Sequence, residues 1–217
     1  MQMGERFRDR RDAGQRLAER LQTYAGRNDT IVLGLPRGGV PVAYEVARAL
    51  ELPLDVFVVR KLGLPWHQEL AMGALASGGV RLINQHLIRQ LGVSESEVER
   101  ITRQEQQELE RRELRFRGSR AFPDLKGKTV LLIDDGLATG ASMRVAVTAL
   151  RQEGAKRVVV GVPVASPDTC DSFRDITDDI VCVVTPEPFH AVGLWYEDFG
   201  QTTDEEVHDL LDRGRAA

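Results

Sequence analysis

A mostly parallel, twisted α/β sheet with helices on both faces is the fold class this sequence predicts, and three observations predict it. Residues 130–133 form a wholly apolar run, as expected of a strand buried on both faces. Similar runs at 30–35, 54–59, 157–162 and 180–184 recur between segments of helical spacing, the alternation that builds βαβ units. Two of the runs end in glycine-bearing turns that open onto helical patterns, at the strand tips where open α/β sheets take ligands.

The elements follow in order. A first helix begins near Asp9 or Asp12, either of which can cap it, and Ala13, Leu17, Leu21 and Tyr24 share one face. A loop at 26–29 leads to the strand at 30–35, and a helix at 41–50 carries Pro41 in its first turn, where a missing N–H costs nothing. After the strand at 54–59 comes a weaker one at 74–83, interrupted by Gly78 and Gly79. Residues 94–116 read as a long polar helix opened by a Ser94/Glu97 capping box. Its apolar positions, Val98, Ile101 and Leu109, are sparse, so it should lie over a surface, form a lid or meet another subunit. The strand at 129–133, a helix at 143–150, and strands at 157–162 and 180–184 complete the series. No internal repeat or low-complexity linker divides the chain, so one domain is expected over all 217 residues.

Bulk properties exclude several classes of function. A hydrophobic share of 42% and a charged share of 29% suit a globular protein. A net charge of −4 makes nucleic acid an improbable partner, because sequence-independent binding needs a basic face. Arginines do cluster at positions 6, 8, 10 and 11 and again at 111, 112, 115, 117 and 120, patterns that fit solvated helix faces. Cys170 and Cys182 signal neither a disulfide framework nor a zinc site, and the four histidines lack metal-ligand spacing. No apolar run approaches the roughly 18 residues of a membrane span, and no signal peptide is apparent. A cytoplasmic location, with no membrane partner, is the expectation.

The chemistry concentrates in I-D-D-G-L-A-T-G-A-S, residues 133–142. Asp134 and Asp135 stand at the end of an apolar strand, and Thr139, Gly140, Ala141 and Ser142 open the next helix. Such a turn offers backbone N–H groups and hydroxyls to a phosphate, while the acids can accept from sugar hydroxyls. A doubly wound turn with a solvated acid pair is the plainer reading, and it leaves the Thr-Gly-Ala-Ser run unexplained.

This arrangement resembles the motif of the type I phosphoribosyltransferases, which bind phosphoribosyl pyrophosphate. The resemblance implies one such domain over 1–217, with a helical insertion at about 84–120 and a small C-terminal hood from about 163–175 and 186–217. It assigns Asp134 and Asp135 to the ribose hydroxyls and, directly or indirectly, to Mg2+. Ala138, Thr139, Gly140, Ala141 and Ser142 then surround the 5′-phosphate. Arg37, Gly38 and Gly39, which follow the first core strand in G-L-P-R-G-G, correspond to the family's pyrophosphate loop, though alone they also read as a tight turn before a helix. Arg60 and Lys61 are similar to the Arg-Lys pair of adenine-type members, carried on a lid loop that closes over pyrophosphate; a solvated surface pair is the alternative. Trp66, His67 and Glu69 fit that loop without a chemical role. Toward the end, Phe189 matches a base-stacking aromatic, Val192 and Gly193 a backbone contact to the base, and Asp198 an acid near the metal, with Glu197 one residue out of register. Packing is the competing role for this aromatic cluster.

The implied reaction transfers the phosphoribosyl group to a nitrogenous acceptor with release of pyrophosphate, with Mg2+ as cofactor. Its acceptor is not the 6-oxopurine of some relatives: Ala138 stands where those enzymes place a general base, and residues 163–167 lack their lysine. The alternative function is a sensor that keeps the same site and regulates through binding with little catalysis. Hydrolysis of phosphorylated sugars is a third, for which no nucleophile with a paired base is evident. A homodimer is among the assemblies the long helix would allow.

Overall fold

Alternation within single strands organises the computed structural model, which describes residues 6–214, with backbone only at 68 and 69. Five strands form a parallel sheet in the order β2-β1-β6-β7-β8, from β1 (Thr30–Gly34), β2 (Leu54–Val56), β6 (Thr129–Ile133), β7 (Arg157–Val164) and β8 (Asp179–Val184). In β1, Ile31 and Leu33 enter one core while Val32 enters the other; in β6, Val130 and Leu132 oppose Leu131 and Ile133 in the same way. Both faces are therefore buried, which is why these strands read as unbroken apolar runs.

Helices α1 (Arg10–Arg20) and α2 (Gly39–Leu50) supply Leu17, Val42 and Val46 to one core, and α5 (Ala141–Gln152) supplies Met143, Ala146 and Leu150 to the other. Asp9 caps α1 by accepting from Asp12 N–H at 2.8 Å. The structure opens α2 at Gly39, so Pro41 falls inside its first turn as expected.

The central region departs from the sequence reading. The apolar run at 54–59 is two strands in different sheets. After β2 the chain leaves the main sheet through Phe57 and Val58, and β3 (Val59–Leu64) starts a three-stranded antiparallel sheet with β4 (His67–Ala76) and β5 (Val80–Ile83). Ser77 marks the crossing: its hydroxyl accepts from Val58 N–H at 2.9 Å, and its own N–H donates to Val58 O. The interrupted strand at 74–83 is really the end of β4 and all of β5, turned by Gly78 and Gly79 at φ of 85° and 84°. The expected lid loop is likewise mostly a hairpin, tipped near Pro65 and Trp66. The side chain of Glu69 lies outside the description.

The remaining α-helices among the described residues are α3 (Gln85–Leu91), α4 (Glu95–Arg117), α6 (Pro167–Asp171) and α7 (Asp204–Arg213). Ser94 and Glu97 form the expected capping box of α4. This helix lies over β3 and α7, burying Val98, Leu109 and Phe116. At its end Arg117, only 3% exposed, donates to Asp55 Oδ1 at 3.2 Å, to Glu113 Oε1 at 3.0 Å and to Val56 O at 2.8 Å. Cys170 of α6 and Cys182 of β8 are joined as a disulfide, a pairing that twelve residues of separation did not disclose. No helix among the described residues is long and apolar enough to cross a membrane.

Arg117 thus pins the long helix to the edge of the main sheet. Arg117→Met should destabilise the protein by about 3–5 kcal/mol, because Asp55 would stay buried without its partner. Urea unfolding monitored by circular dichroism would measure this; a loss below about 1 kcal/mol would show the ion pair to be dispensable.

Candidate functional site

The site grows from one pairing. Strands β1 and β6 lie side by side in register, Gly34 against Ile133, so their carboxyl ends deliver two turns to the same place. From β1 come Pro36, Arg37 and Gly38, joined through a cis Pro36–Arg37 peptide bond. From β6 come Asp134 and Asp135, followed by the turn into α5.

The two turns touch through bare backbone. A Cβ at Gly38 would sit 2.0 Å from Asp135 Oδ2, and one at Gly39 would sit 2.8 Å from Asp134 Cα. Only glycine fits either position. Asp134 Oδ1 accepts from Asp135 N–H at 2.9 Å, which fixes the first carboxylate relative to the second. Burial pushes the Asp134 carboxyl well above the ordinary range, and the neighbouring Asp135 charge adds to the effect. Burial raises Asp135 as well, opposed by the Arg10 guanidinium.

The opposite turn is open. Thr139, Ala141 and Ser142 are exposed, and Gly140 caps α5 with φ of 71°. A side chain there would strike the Phe173 ring at 2.6 Å. Thr169 of α6 supports the turn from beneath, donating to Ala138 O at 3.1 Å. The first N–H groups of α5, of which Ala141 N–H donates to Thr139 Oγ1 at 3.4 Å, and the two hydroxyls therefore form an exposed turn on a fixed support, suited to an anion.

Other expected residues are placed differently from one another. Arg37 is exposed and lies 3.5 Å from Asp204 Oδ1 at the start of α7. Arg60 is ion-paired to Glu105 of α4 at 2.5 Å. Lys61, the next residue of β3, is exposed and lines a polar cleft of about 550 Å³ together with Arg60 and with Arg100 of α4. Val192 packs against Gly136, where a Cβ would meet it at 2.6 Å, and Phe189 joins Val192 and Trp195 in a small apolar cluster with Phe7 and Tyr196. Asp198 accepts from Gly200 N–H at 3.0 Å and shares a polar cleft of about 550 Å³ with Arg10 and Glu45. Among the described residues no cluster of three or more His, Cys, Asp or Glu side chains forms a metal cage.

Three contributors escaped the sequence reading. Arg10 donates to Asp135 Oδ2 at 2.9 Å, Tyr196 donates its hydroxyl to Asp135 O at 2.6 Å, and Phe7 pairs with Tyr196 through a parallel bridge. Their partners lie far away in sequence, and the arginine cluster around position 10 looked like a solvated face. The mid-chain arginines are compensated rather than free: Arg111 and Arg112 share Glu108, whose carboxyl they hold down at about 2, and Arg115 meets Asp204 and Glu205.

Comparison with known proteins agrees with this geometry. The model of the phosphoribosyl transferase domain family matches residues 7–70 and 66–187, and the chain belongs to that family. Provisionally named phosphoribosyl transferases from two strains of Mycobacterium tuberculosis are 46% identical over 207 residues, covering 95% of this chain and 46% of theirs. The chain thus spans about half the length of these curated relatives. A crystal structure from Thermus thermophilus superposes with a TM-score of 0.83 at 46% identity, covering 95% of this chain and 97% of the other. A shorter stretch of 58 residues is 33% identical to the uracil phosphoribosyltransferase of Lactobacillus gasseri, covering 27% of this chain and 28% of that one. The family and the α/β architecture inferred from the sequence are both borne out.

The raised carboxyl has a measurable consequence. A group that holds its proton more tightly when folded stabilises the fold at low pH, and that contribution is lost as pH rises through the folded value. Above the ordinary carboxylate range, folding must therefore either keep the proton on Asp134 or bury its charge, and either costs stability. Asp134→Asn keeps the acceptor for Asp135 N–H and removes the charge, so the ligand-free variant should melt higher at pH 7, by about 2–4 °C per kcal/mol relieved. The gap should close as pH falls through the acidic range. Calorimetric scans across pH would test this, and parallel melting curves at every pH would refute it.

Proposed function

We propose that the chain transfers the 5-phosphoribosyl group from phosphoribosyl pyrophosphate to a nitrogenous acceptor and releases pyrophosphate. One observation carries the reading: two glycine-bearing turns, each at a helix N-terminus, flank a desolvated acid pair at adjacent strand ends. That geometry suits a sugar with a phosphate-type group at each end. Asp134 and Asp135 accept from the ribose hydroxyls. Thr139, Gly140, Ala141 and Ser142 hold the 5′-phosphate, with Ala138 contributing backbone alone. Arg37, Gly38 and Gly39 take the pyrophosphate. Lys61 would join them from the hairpin, whereas Arg60 would first have to leave Glu105.

Magnesium fits the donor set, because two carboxyls that resist ionisation gain from a nearby cation. It would spread the charge of the departing pyrophosphate, held mainly by the ligand's oxygens, as Mg2+ favours few protein ligands. Of the protein's own residues, Asp134 and Asp135 are the ones that would orient it; Asp198, turned to Gly200, is less suitably directed. The chain's contribution to the chemistry is to fix both ends of the sugar so that the acceptor meets C1 opposite the leaving group. Val192 borders the acid turn at Gly136, Phe189 packs on the same small apolar cluster, and the pair fits the acceptor side.

The test incubates the protein with phosphoribosyl pyrophosphate, Mg2+ and a panel of bases and amines, and measures pyrophosphate release. Release dependent on one acceptor class is expected. Asp134→Asn with Asp135→Asn should reduce it by at least roughly 30-fold, since removing a buried charged partner costs about 2–5 kcal/mol. Binding without release would favour the sensor instead, and release without any acceptor would favour hydrolysis.

A further inference from the structure

Asp135 is gripped from several directions, and the strongest grip comes from outside the two turns. Arg10 belongs to the first turn of α1, and its side chain is 13% exposed. Its Nε donates to Asp135 Oδ2 at 2.9 Å, one terminal nitrogen donates to Gly200 O at 2.6 Å, and its guanidinium plane lies 4.0 Å from the centre of the Phe199 ring. Its hydrogen bonds thus go to the second acid and to the segment following Tyr196. The same Asp135 oxygen that Arg10 holds is the one pressed against Gly38. Arg10 Nε itself would stand 3.2 Å from a Cβ at Gly38. Guanidinium, carboxylate and turn form one stack.

We propose that Arg10 is a positioning residue that sets the shape of the pyrophosphate turn by clamping Asp135 against Gly38. The inference rests on the assignment of that turn to pyrophosphate given above. It goes further in predicting that the two ends of the ligand depend on different supports. The turn at 139–142 is backed by Thr169 and Phe173, neither of which touches Arg10. Loss of the clamp should therefore weaken pyrophosphate recognition and spare the 5′-phosphate end. A fork that donates in two directions while stacking on a ring is a task for arginine; the lysine ammonium supplies the charge without that geometry.

Calorimetric titration of the full chain with Mg2+ and, separately, phosphoribosyl pyrophosphate, pyrophosphate and ribose 5-phosphate tests the split. Arg10→Gln should weaken phosphoribosyl pyrophosphate and pyrophosphate at least tenfold, and ribose 5-phosphate, which shares Asp135 but keeps Asp134 and the turn at 139–142, by less than about fourfold. Arg10→Lys, which keeps the charge and guards against a variant that does not fold, should lie between Arg10→Gln and the wild type. In the Asp135→Asn background, Arg10→Gln should cost less than about threefold more, because its partner is already altered. Equal losses for all three ligands, unchanged affinities, or additive effects in the double variant would each overturn the positioning role. A wild-type chain that binds none of the ligands would instead overturn the assignment of the site, and the role of Arg10 with it.

Discussion

The contact between two carboxylates and two bare glycines is the constraint on which the site depends. Parallel pairing of β1 and β6 brings Asp134 and Asp135 against Gly38 and Gly39 with no room for a single added carbon. Adjacent acids repel, and burial makes their ionised forms costlier. A fold optimised only for stability would not place them there, and such placement is typical of functional sites. The surrounding cations divide between those that compensate the acids internally, such as Arg10, and those left exposed at the rim, such as Arg37.

The long helix takes on meaning in that setting. Its C-terminal arginines are paired within the chain, Arg111 and Arg112 with Glu108, Arg115 with Asp204 and Glu205, and Arg117 with Asp55 and Glu113, which weakens the one feature that favoured a nucleic-acid partner. Through Arg60 and Glu105 it also braces the hairpin that carries Lys61. That hairpin is hydrogen-bonded along β3 and β4 and backed by a 23-residue helix, so it is a built arm rather than a loose loop. The helix accordingly acts as a buttress, and the polar face that looked unpartnered in sequence is an internal network of ion pairs.

What could be read from the sequence follows from the range of the interactions involved. The β6 strand and its motif were legible because apolar burial, the acid pair and the α5 start lie within fifteen consecutive residues. The capping boundary at Ser94 was legible for the same reason. The split at 54–59 was not, since Val56 and Val59 are equally apolar and only Ser77, far along the chain, decides where the backbone leaves the sheet. Arg10 was misjudged because a partner 125 residues away leaves no local pattern. The disulfide was missed likewise, as only the return of α6 to β8 brings the two sulfurs together.

Under the proposed function, the same geometry separates two kinds of recognition. Groups suited to the sugar and its phosphates sit on turns fixed by the main sheet, whereas residues suited to an acceptor, Phe189 and Val192, sit in a hood built partly from the N-terminal segment. Backbone bonds from Phe7 to Trp195 and from Glu197 back to Phe7 tie that hood together, and Tyr196 fastens it to Asp135 O. The hood therefore reaches the sheet-borne site at several points, Tyr196 at Asp135 O, Val192 at Gly136 and Thr169 at Ala138 O, and Arg10 arrives at the first of them. Changes at Tyr196 or Arg10 would reach the sugar side of the proposed site, because each acts on the same aspartate, one at its backbone oxygen and the other at its carboxylate.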